Sequence, residues 1–390
     1  MHTTSAERSR IVALDVARGI AILGTLATNI WIFAGVSSAS LDALFSSGGF
    51  TLAGEVAAGT PGAVVDTVLH LVTDGKFLGL LTIMFGIGME IQRQSALRHG
   101  KRWPGGYYWR AALLAIEGLL NYIFVFEFDV LMAYGLTALA IAPVVARSER
   151  VQKVLMWVAL VVHVAVIALL DTFLALAFHL ATEEELAEMA DSLQFYESTD
   201  SYAAMVRTRL TDFVDGRMEM PVLITMGLAM FLVGARLYRA GLFHAERARL
   251  RRKVLVVGLV VGLPLDWGLR LFATSSVAMT TRYVTSAVVA FGILALIAEY
   301  YVRRGNRLGG VGRALSAVGR MALTCYILQN LLASVLFYDF GFGLARRIDG
   351  TVGVFVVYLL ICAVMIAFSR VWLRRFARGP VESVMHRLHS

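Results

Sequence analysis

The sequence predicts an all-α protein, a polytopic transmembrane helical bundle of about ten spans with both termini in the cytoplasm. Hydrophobic residues make up 58% of the 390-residue chain and charged residues 16%, whereas an average soluble domain is about one-quarter charged. The apolar residues come in blocks of roughly 20, which is the length that spans the hydrocarbon core of a bilayer. Basic residues gather at alternate ends of these blocks.

Ten apolar blocks are bounded by polar or basic residues. We expect all of them to belong to a single transmembrane domain (1–390), in which residues 181–219 form an extracytoplasmic loop. A second long segment, Gly/Ser-rich after the first span, is predicted to become helical from Ala63. The predicted spans cover about 11–34, 76–91, 108–126, 130–146, 154–180, 221–238, 254–273, 283–302, 315–338 and 352–373.

The basic residues test this order of spans. If the N-terminus is cytoplasmic, the cytoplasmic segments hold 27 of the 36 lysines and arginines. Such an excess on the cytoplasmic side is what the positive-inside rule describes. The alternation holds at every connection, so it supports an even number of spans.

Composition also excludes several classes of function. The net charge of +8 is explained by topology, so we expect the lipid bilayer and no nucleic acid as a partner; a homodimer is compatible with the sequence. Cys325 and Cys362 lie inside apolar blocks without CxxC spacing, and no metal-ligand pattern occurs. The first apolar block contains Asp15 and Arg18 and no small-residue cleavage site, which favours a retained helix over a signal peptide.

The first span contains the strongest polar signal. Asp15 and Arg18 are three residues apart, so they share a helix face and can pair. Gly19 and Gly24 allow another helix to approach closely. The pair is either an anchor at the cytoplasmic interface or part of a site for an anionic ligand. Asn29, near the other end of the span, needs a hydrogen-bond partner.

A second signal precedes the second span. Asp66, His70 and Asp74 are spaced by four residues, which places them on one stripe of a helix. A histidine flanked by carboxylates can act as a general base near neutral pH. The alternative is the solvated polar face of an amphipathic helix.

The third and fourth spans contain further polar groups at membrane depth. Glu117 and Asn121 share a helix face, and Glu127 and Asp129 lie in the short turn that follows. For the turn, simple helix termination with Asp129 as an N-cap is the alternative. A carboxylate as deep as Glu117 needs a partner. The candidate partners are Arg110, Arg18 and Arg270.

Two later spans are also polar. Asp266 and Arg270 are four residues apart and are predicted to form a structural salt bridge. Tyr326, Gln329 and Asn330 make the ninth span unusually polar, either through interhelical hydrogen bonds or because they line a cavity.

Several segments together resemble the YeiB-like family of bacterial multipass membrane proteins. Each segment is weak evidence alone, but together they cover most of the chain outside 181–219. The third-helix motif of that family usually ends in His, and here the position is Asn121. The segments are RIVALDVARGIAILG with Asn29, KFLGLLTIMFGIGME, EGLLNYIFVFEFDVLMAYG, VGRMALTCYILQN and RGPVESVMHRL.

The YeiB-like family is similar in its first helix to the heparan-α-glucosaminide N-acetyltransferase group. Those enzymes carry an acetyl group from cytoplasmic acetyl-CoA to an acceptor across the membrane. The resemblance implies a transfer role for Asn29, by position, and for His70, by location.

The leading hypothesis is therefore a transmembrane acyltransferase with acyl-CoA (acetyl-CoA) as co-substrate and a glycan, lipid or small-molecule acceptor. His70, oriented by Asp66 or Asp74, would be the base, and Asn29 would stabilise the oxyanion. Asp15, Arg18 and Arg320 would bind the co-substrate. A transporter or exporter of a small or lipidic molecule is the alternative. The predicted substrate-binding residues are Glu117, Asn121, Glu127, Asp129, Tyr326, Gln329 and Asn330.

Overall fold

The computed structural model describes residues 11–35, 52–57, 59, 63–182, 185, 201–273, 277–348 and 350–389, and all regular structure in these ranges is helical. The long helices follow the predicted spans, and the helix predicted from Ala63 begins at that residue. The helices are α1 (Val12–Phe33), α2 (Leu52–Ala57), α3 (Ala63–Thr73), α4 (Lys76–Arg98), α5 (Tyr107–Phe124), α6 (Leu131–Ile141), α7 (Glu149–Leu180), α8 (Tyr202–Thr211), α9 (Met220–Arg239), α10 (Ala248–Leu255), α11 (Leu263–Phe272), α12 (Ala278–Thr280), α13 (Ser286–Arg303), α14 (Gly310–Arg320), α15 (Ala322–Phe337), α16 (Thr351–Trp372) and α17 (Pro380–His389).

The helices confirm a multipass membrane protein. Within the described residues, seven helical segments are long and apolar enough to cross a bilayer, or eight if the bent pair α14–α15 is one span. One of the seven is the continuous segment Ala245–Phe272, which contains α10 and α11. The prediction of about ten spans also needs α5 and α6. α6 is short, and α5 contains Arg110, Glu117 and Asn121 within 18 residues. The count of ten and the orientation of the termini stay predictions.

α1 lies at the centre of the bundle and α7 at its edge. In the most apolar window of α1, 67% of the residues are buried, whereas the corresponding fraction for α7 is 17%. The exposed side chains of α7 are large and apolar, such as Leu169 and Phe173. A helix that is apolar on its exposed face is suited to contact with lipid. The polar residues of α1 are therefore interior groups.

α1 and α14 pack backbone to backbone through two glycines. A Cβ atom on Gly19 would lie 2.0 Å from the carbonyl oxygen of Leu315, and one on Gly319 would lie 1.8 Å from that of Asp15. Both distances are too short for any side chain, so glycine is required at both positions. The contact brings the neighbouring Arg18 and Arg320 to the same region of the bundle.

The ninth predicted span is broken rather than continuous. α14 ends at Arg320, α15 begins at Ala322, and the two helix axes differ in direction by 88°. The break exposes the N-terminal peptide groups of α15, which have no partners within their own helix. Residues on both sides of the break, Arg320, Ala322 and Leu323, line a cavity.

Candidate functional site: a cavity lined by arginines

A cavity of about 520 Å³ lies between α1, α4, α5, α6, α14, α15 and α17. Its size is within the range of small-molecule sites. Among the described residues that line it, four are arginines and one is a carboxylate, Glu382. We call it the arginine cavity. Its polar lining residues include Arg18, Gln92, Tyr107, Arg110, Arg320, Tyr326, Arg378, Glu382 and His386.

The lining changes from basic to apolar along the helices. α1 contributes Arg18 and then, one turn further, Ile22; α5 contributes Arg110 and then Leu114. α4 and α6 run the opposite way, and their first lining residues, Leu81 and Leu131, are at the apolar end. The cavity therefore has a cationic end and an apolar end, as a ligand with an anionic head and an apolar tail requires.

Arg18 is positioned by the residues around it. Its Nη1 atom lies 3.7 Å from Oδ1 of Asp15, which confirms the predicted i, i+3 pairing. Nη2 lies 3.7 Å from the position that a Cβ atom on Gly88 of α4 would occupy. Asp15 is buried, so it orients Arg18 while the guanidinium group remains about one-third exposed.

The segment that precedes α17 and α17 itself form another wall of the cavity, next to α5. Oε1 of Glu382 accepts hydrogen bonds from the backbone N–H groups of Leu323 (2.8 Å) and Thr324 (3.2 Å). The indole N–H of Trp109 donates to the carbonyl oxygen of Leu388 (2.7 Å). Glu382 thus caps the broken helix, and the docking of α17 places Arg378 and His386 in the cavity.

Tyr326 closes the apolar end. Its side chain is 1% exposed, and its hydroxyl oxygen is 3.4 Å from the backbone nitrogen of Val130. Beyond it lies a second space of about 30 Å³, which also has Tyr326 in its lining. This space, the polar chamber, is lined by Thr25, Thr28, Asn29, Gly75, Leu78, Phe128, Val130, Glu219, Arg282 and Tyr326.

Asn29 lies in the polar chamber. It is half-buried, and its side chain forms no hydrogen bond with the described residues. The preceding Thr28 donates to the carbonyl oxygen of Thr73 (3.2 Å), so α3 packs beside this part of α1. Eleven residues separate Arg18 from Asn29, or about 16 Å along a helix. The two predicted polar sites of α1 are therefore at different depths.

The structure describes two of the three side chains of the α3 stripe, His70 and Asp74. His70 is half-buried, one turn before Asp74, and is not among the described residues that line the chamber. The side chain of Asp66 lies outside the part of the chain that the structure describes. Asp74 is bound by Arg270 (2.5 Å) and Arg282 (3.3 Å). The roles predicted for these residues stay predictions.

Asp74 belongs to a dense group of buried and half-buried charges beside the chamber, which we call the ion-pair cluster. Lys76 Nζ lies 2.6 Å from Asp266 Oδ2, and Arg270 Nε lies 3.2 Å from the same atom. The second contact confirms the predicted salt bridge. Arg282 also approaches Glu219 at 3.6 Å. The ion-pair cluster comprises Asp74, Lys76, Glu219, Asp266, Arg270 and Arg282.

The turn between α5 and α6 is held by residues that the sequence interpretation did not connect with it. Arg209 binds the Glu127 carboxylate at 3.1 Å, and Arg217 donates to the carbonyl oxygens of Glu127 and Asp129. Asp129 accepts from the N–H of Met132 (3.1 Å), as predicted for a helix cap, and Oδ2 accepts from the Asn121 amide (2.7 Å). The predicted substrate-binding residues Asn121, Glu127 and Asp129 therefore all have partners within the protein.

The remaining predicted substrate-binding residues are Gln329 and Asn330 of α15 and Glu117 of α5. Gln329 and Asn330 are fully buried, and Gln329 donates to Thr25 (3.4 Å). Asn330 lies beside the Tyr326 hydroxyl group. Neither carboxyl oxygen of Glu117 has a hydrogen-bond partner among the described residues. The cationic partner predicted for Glu117 is therefore not found.

Arg378, His386 and Glu382 are site residues that the sequence interpretation missed. They lie in the RGPVESVMHRL segment, which resembles the YeiB-like family but predicts no chemical role by itself. Arg110 was considered only as a partner of Glu117. In the structure it lines the cavity with Arg378.

Comparison with known proteins gives a consistent result. Residues 237–390 match the family model described as "Protein of unknown function (DUF418)". The chain is 30% identical to "Uncharacterized protein YeiB" of Escherichia coli (strain K12), over 97% of this chain and 96% of that protein. It is 25% identical to "Uncharacterized protein YxaH" of Bacillus subtilis (strain 168), over 96% and 92% of the two chains. No solved structure matches the chain.

Proposed function

The chain belongs to the DUF418 family of YeiB-like membrane proteins, and from its cavity we propose that it is a transmembrane acyltransferase. It would move an acyl group, most simply acetyl, from cytoplasmic acyl-CoA to an acceptor on the outer face. The observation that carries the proposal is a cavity with a cationic end and an apolar end, separated from the Asn29 chamber by the Tyr326 side chain.

The proposal includes an orientation. The chain would cross the plasma membrane of a bacterium ten times with both termini in the cytoplasm, as the basic residues predict. α5 and α6 would then be spans despite their polarity or short length. The cationic end of the cavity would face the cytoplasm, where acyl-CoA is found, and the polar chamber would face the outside.

The cationic end would bind the phosphate groups of acyl-CoA. Guanidinium groups bind phosphate oxygens through paired N–H donors. The lining arginines come from four different helices or segments, so they can contact several phosphates of one ligand. The thioester arm would then extend along Ile22, Leu114 and Leu131 toward Tyr326.

The transfer would occur near Tyr326. The amine or hydroxyl group of the acceptor attacks the thioester carbonyl carbon, the C–S bond breaks, and the proton from the acceptor goes to His70. The Asn29 amide N–H groups would donate to the oxyanion that forms during attack. Asn29 suits this role because its side chain has no hydrogen bond with the described residues. Tyr326 would have to move aside for the acyl group to reach the chamber.

Proteoliposomes provide the test. Radiolabelled acetyl-CoA is added outside vesicles that contain purified protein and trapped glucosamine, a small amine-bearing acceptor, and acetylated product is measured in the lumen. We expect product with the wild-type protein. Asn29→Ala should lower the rate by about 10²–10³-fold and His70→Ala by about 10²–10⁴-fold. Failure of the wild-type protein to bind acetyl-CoA, measured by calorimetry, would overturn the proposal.

One observation favours a second function, a carrier of a small or lipidic molecule. The bent helix pair α14–α15 resembles the discontinuous helices that form binding sites in many transporters. A carrier would move its cargo without an acyl donor. Accumulation of a labelled anionic solute in proteoliposomes that lack acyl-CoA would favour it over catalysis.

A further inference from the structure

Glu117 lies at the level where the arginine cavity ends. The residues of α5 that line the cavity are Tyr107, Arg110, Ala111 and Leu114, a helical stripe that leads from the cationic to the apolar end. Glu117 is the next residue of that stripe, three positions after Leu114. It therefore lies one turn beyond the apolar lining of α5.

The surroundings of Glu117 contain no counter-charge among the described residues. Both carboxyl oxygens are buried and without a hydrogen-bond partner there. Another carboxylate is close by, since Oδ1 of Asp129 lies 2.6 Å from the position that a Cβ atom on the adjacent Gly118 would occupy. An ionised carboxylate in such a place carries a large desolvation penalty, whereas a carboxylic acid does not. The surroundings of Glu117 therefore favour the protonated, uncharged form of its carboxyl group.

We propose that Glu117 is the general acid that protonates the departing thiolate of the acyl donor. The inference rests on the proposed acyltransferase function and assigns a further catalytic residue to it. As the acceptor nucleophile forms its bond to the carbonyl carbon, the C–S bond breaks and the electron pair stays on sulfur. Sulfur takes the proton of Glu117, and the product is free CoA thiol. After turnover Glu117 takes up a proton from solvent, and His70 releases the proton of the acceptor to solvent, so the protons balance.

The apolar end of the cavity explains why a proton donor is needed. In water a thiolate leaves readily because it is solvated, but here the sulfur would emerge between Ile22, Leu81 and Leu131. These side chains offer no hydrogen bond to an anion, so an unprotonated thiolate would be costly. Protonation during C–S cleavage removes that charge. Tyr326, also at this end, is the competing donor.

The experiment compares two donors that differ in one atom. Purified protein in detergent transfers the acetyl group to hydroxylamine, whose two heavy atoms match the small chamber, from acetyl-CoA or from its selenium analogue. A selenolate is a weaker base than a thiolate and needs no proton to leave. The variants are Glu117→Gln, which keeps the shape of the side chain but carries no acidic proton, Glu117→Asp and Tyr326→Phe. The uncatalysed reaction is measured without protein and subtracted.

We expect Glu117→Gln to lower kcat for acetyl-CoA by about 100-fold or more, with KM unchanged, and to lower kcat for the selenium donor less than ten-fold. Glu117→Asp should retain part of the rate. Equal losses with both donors, or no loss, would overturn the inference, because a structural role does not depend on the leaving atom. The inference is also overturned if the rate loss depends on the leaving atom in Tyr326→Phe but not in Glu117→Gln. A wild-type protein that transfers from neither donor overturns the proposed function itself.

Discussion

The arginine cavity and the ion-pair cluster both concentrate charged side chains but differ in the balance of positive and negative charge. In the ion-pair cluster three cations face three carboxylates, and Asp266 alone contacts Lys76 and Arg270 within 3.2 Å. The described lining of the arginine cavity has four arginines and one carboxylate, and that carboxylate, Glu382, is turned toward the N-terminus of α15. Balanced charges hold helices together, whereas unbalanced charges leave capacity for a ligand.

The largest expected effect concerns the ion-pair cluster. Asp266→Ala would leave Lys76 (2% exposed) and Arg270 (6% exposed) without their shared carboxylate. Loss of one partner in a buried ion pair costs about 3–5 kcal/mol. We expect a clear drop in the thermal unfolding temperature in detergent. Arg303→Ala, which breaks an exposed pair with Glu299, should cost at most about 1 kcal/mol; equal effects of the two variants would contradict the comparison.

The converse holds for the arginine cavity. Replacing both Arg110 and Arg378 by alanine should leave the unfolding temperature nearly unchanged, because neither forms an ion pair with the described residues. The Kd for acetyl-CoA should rise about 10–100-fold, since a hydrogen bond to a charged group contributes about 1.5–3 kcal/mol. Scanning calorimetry measures the unfolding temperature, and titration calorimetry at two salt concentrations measures the Kd for acetyl-CoA. Arg374→Ala, outside the cavity, is the control, and a similar loss of affinity there would argue against specific binding.

Gly319→Ala tests how the cavity is built. The added Cβ atom would lie 1.8 Å from the Asp15 carbonyl oxygen, and overpacking of this kind costs about 1–3 kcal/mol. Separation of α1 from α14 should also weaken acetyl-CoA binding, because Arg18 and Arg320 move apart. Gly268→Ala, inside α11 with open space around it, should be neutral or slightly stabilising. The thermal unfolding temperatures of the two variants measure the difference, and an equal change in both would contradict a close contact between α1 and α14.

The smallest effect is expected at Glu382. Alanine there removes the acceptor for two N–H groups at the start of α15, and loss of a helix cap costs about 1 kcal/mol. Hydrogen exchange at Leu323 and Thr324 should become faster. Glu382→Gln retains an oxygen acceptor and should show a smaller change. Unchanged exchange in the alanine variant would mean that α17 does not cap α15.

The features that the sequence predicted correctly involve residues that are close together in the chain. Blocks of apolar residues predicted the long helices, and spacings of three and four predicted the pairs Asp15–Arg18 and Asp266–Arg270. Both kinds of inference need only the geometry of one helix. The cap that Asp129 provides for α6 was the alternative interpretation of that turn, and it needs only the same local geometry.

What the sequence could not predict was which distant segments meet. Asp74 and Arg270 are 196 residues apart, and no spacing rule relates them. The same applies to Arg110 and Arg378, which share a cavity through the docking of α17. The cationic partner predicted for Glu117 is not found among the described residues, and Arg270, one of the candidates, is instead bound to two aspartates. Long-range packing, rather than local charge pattern, decides such pairings.

Tyr326 has a consequence for how the protein experiences the membrane potential. Where aqueous spaces enter a membrane protein from both faces, the voltage falls mainly across the thin barrier between them. With the orientation proposed above, that barrier is the layer at Tyr326, between the arginine cavity and the polar chamber. A unit charge that crosses it would gain or lose about 2.3 kcal/mol per 100 mV. Any proton or ion that moves past Tyr326 would therefore do so at a rate that depends on voltage.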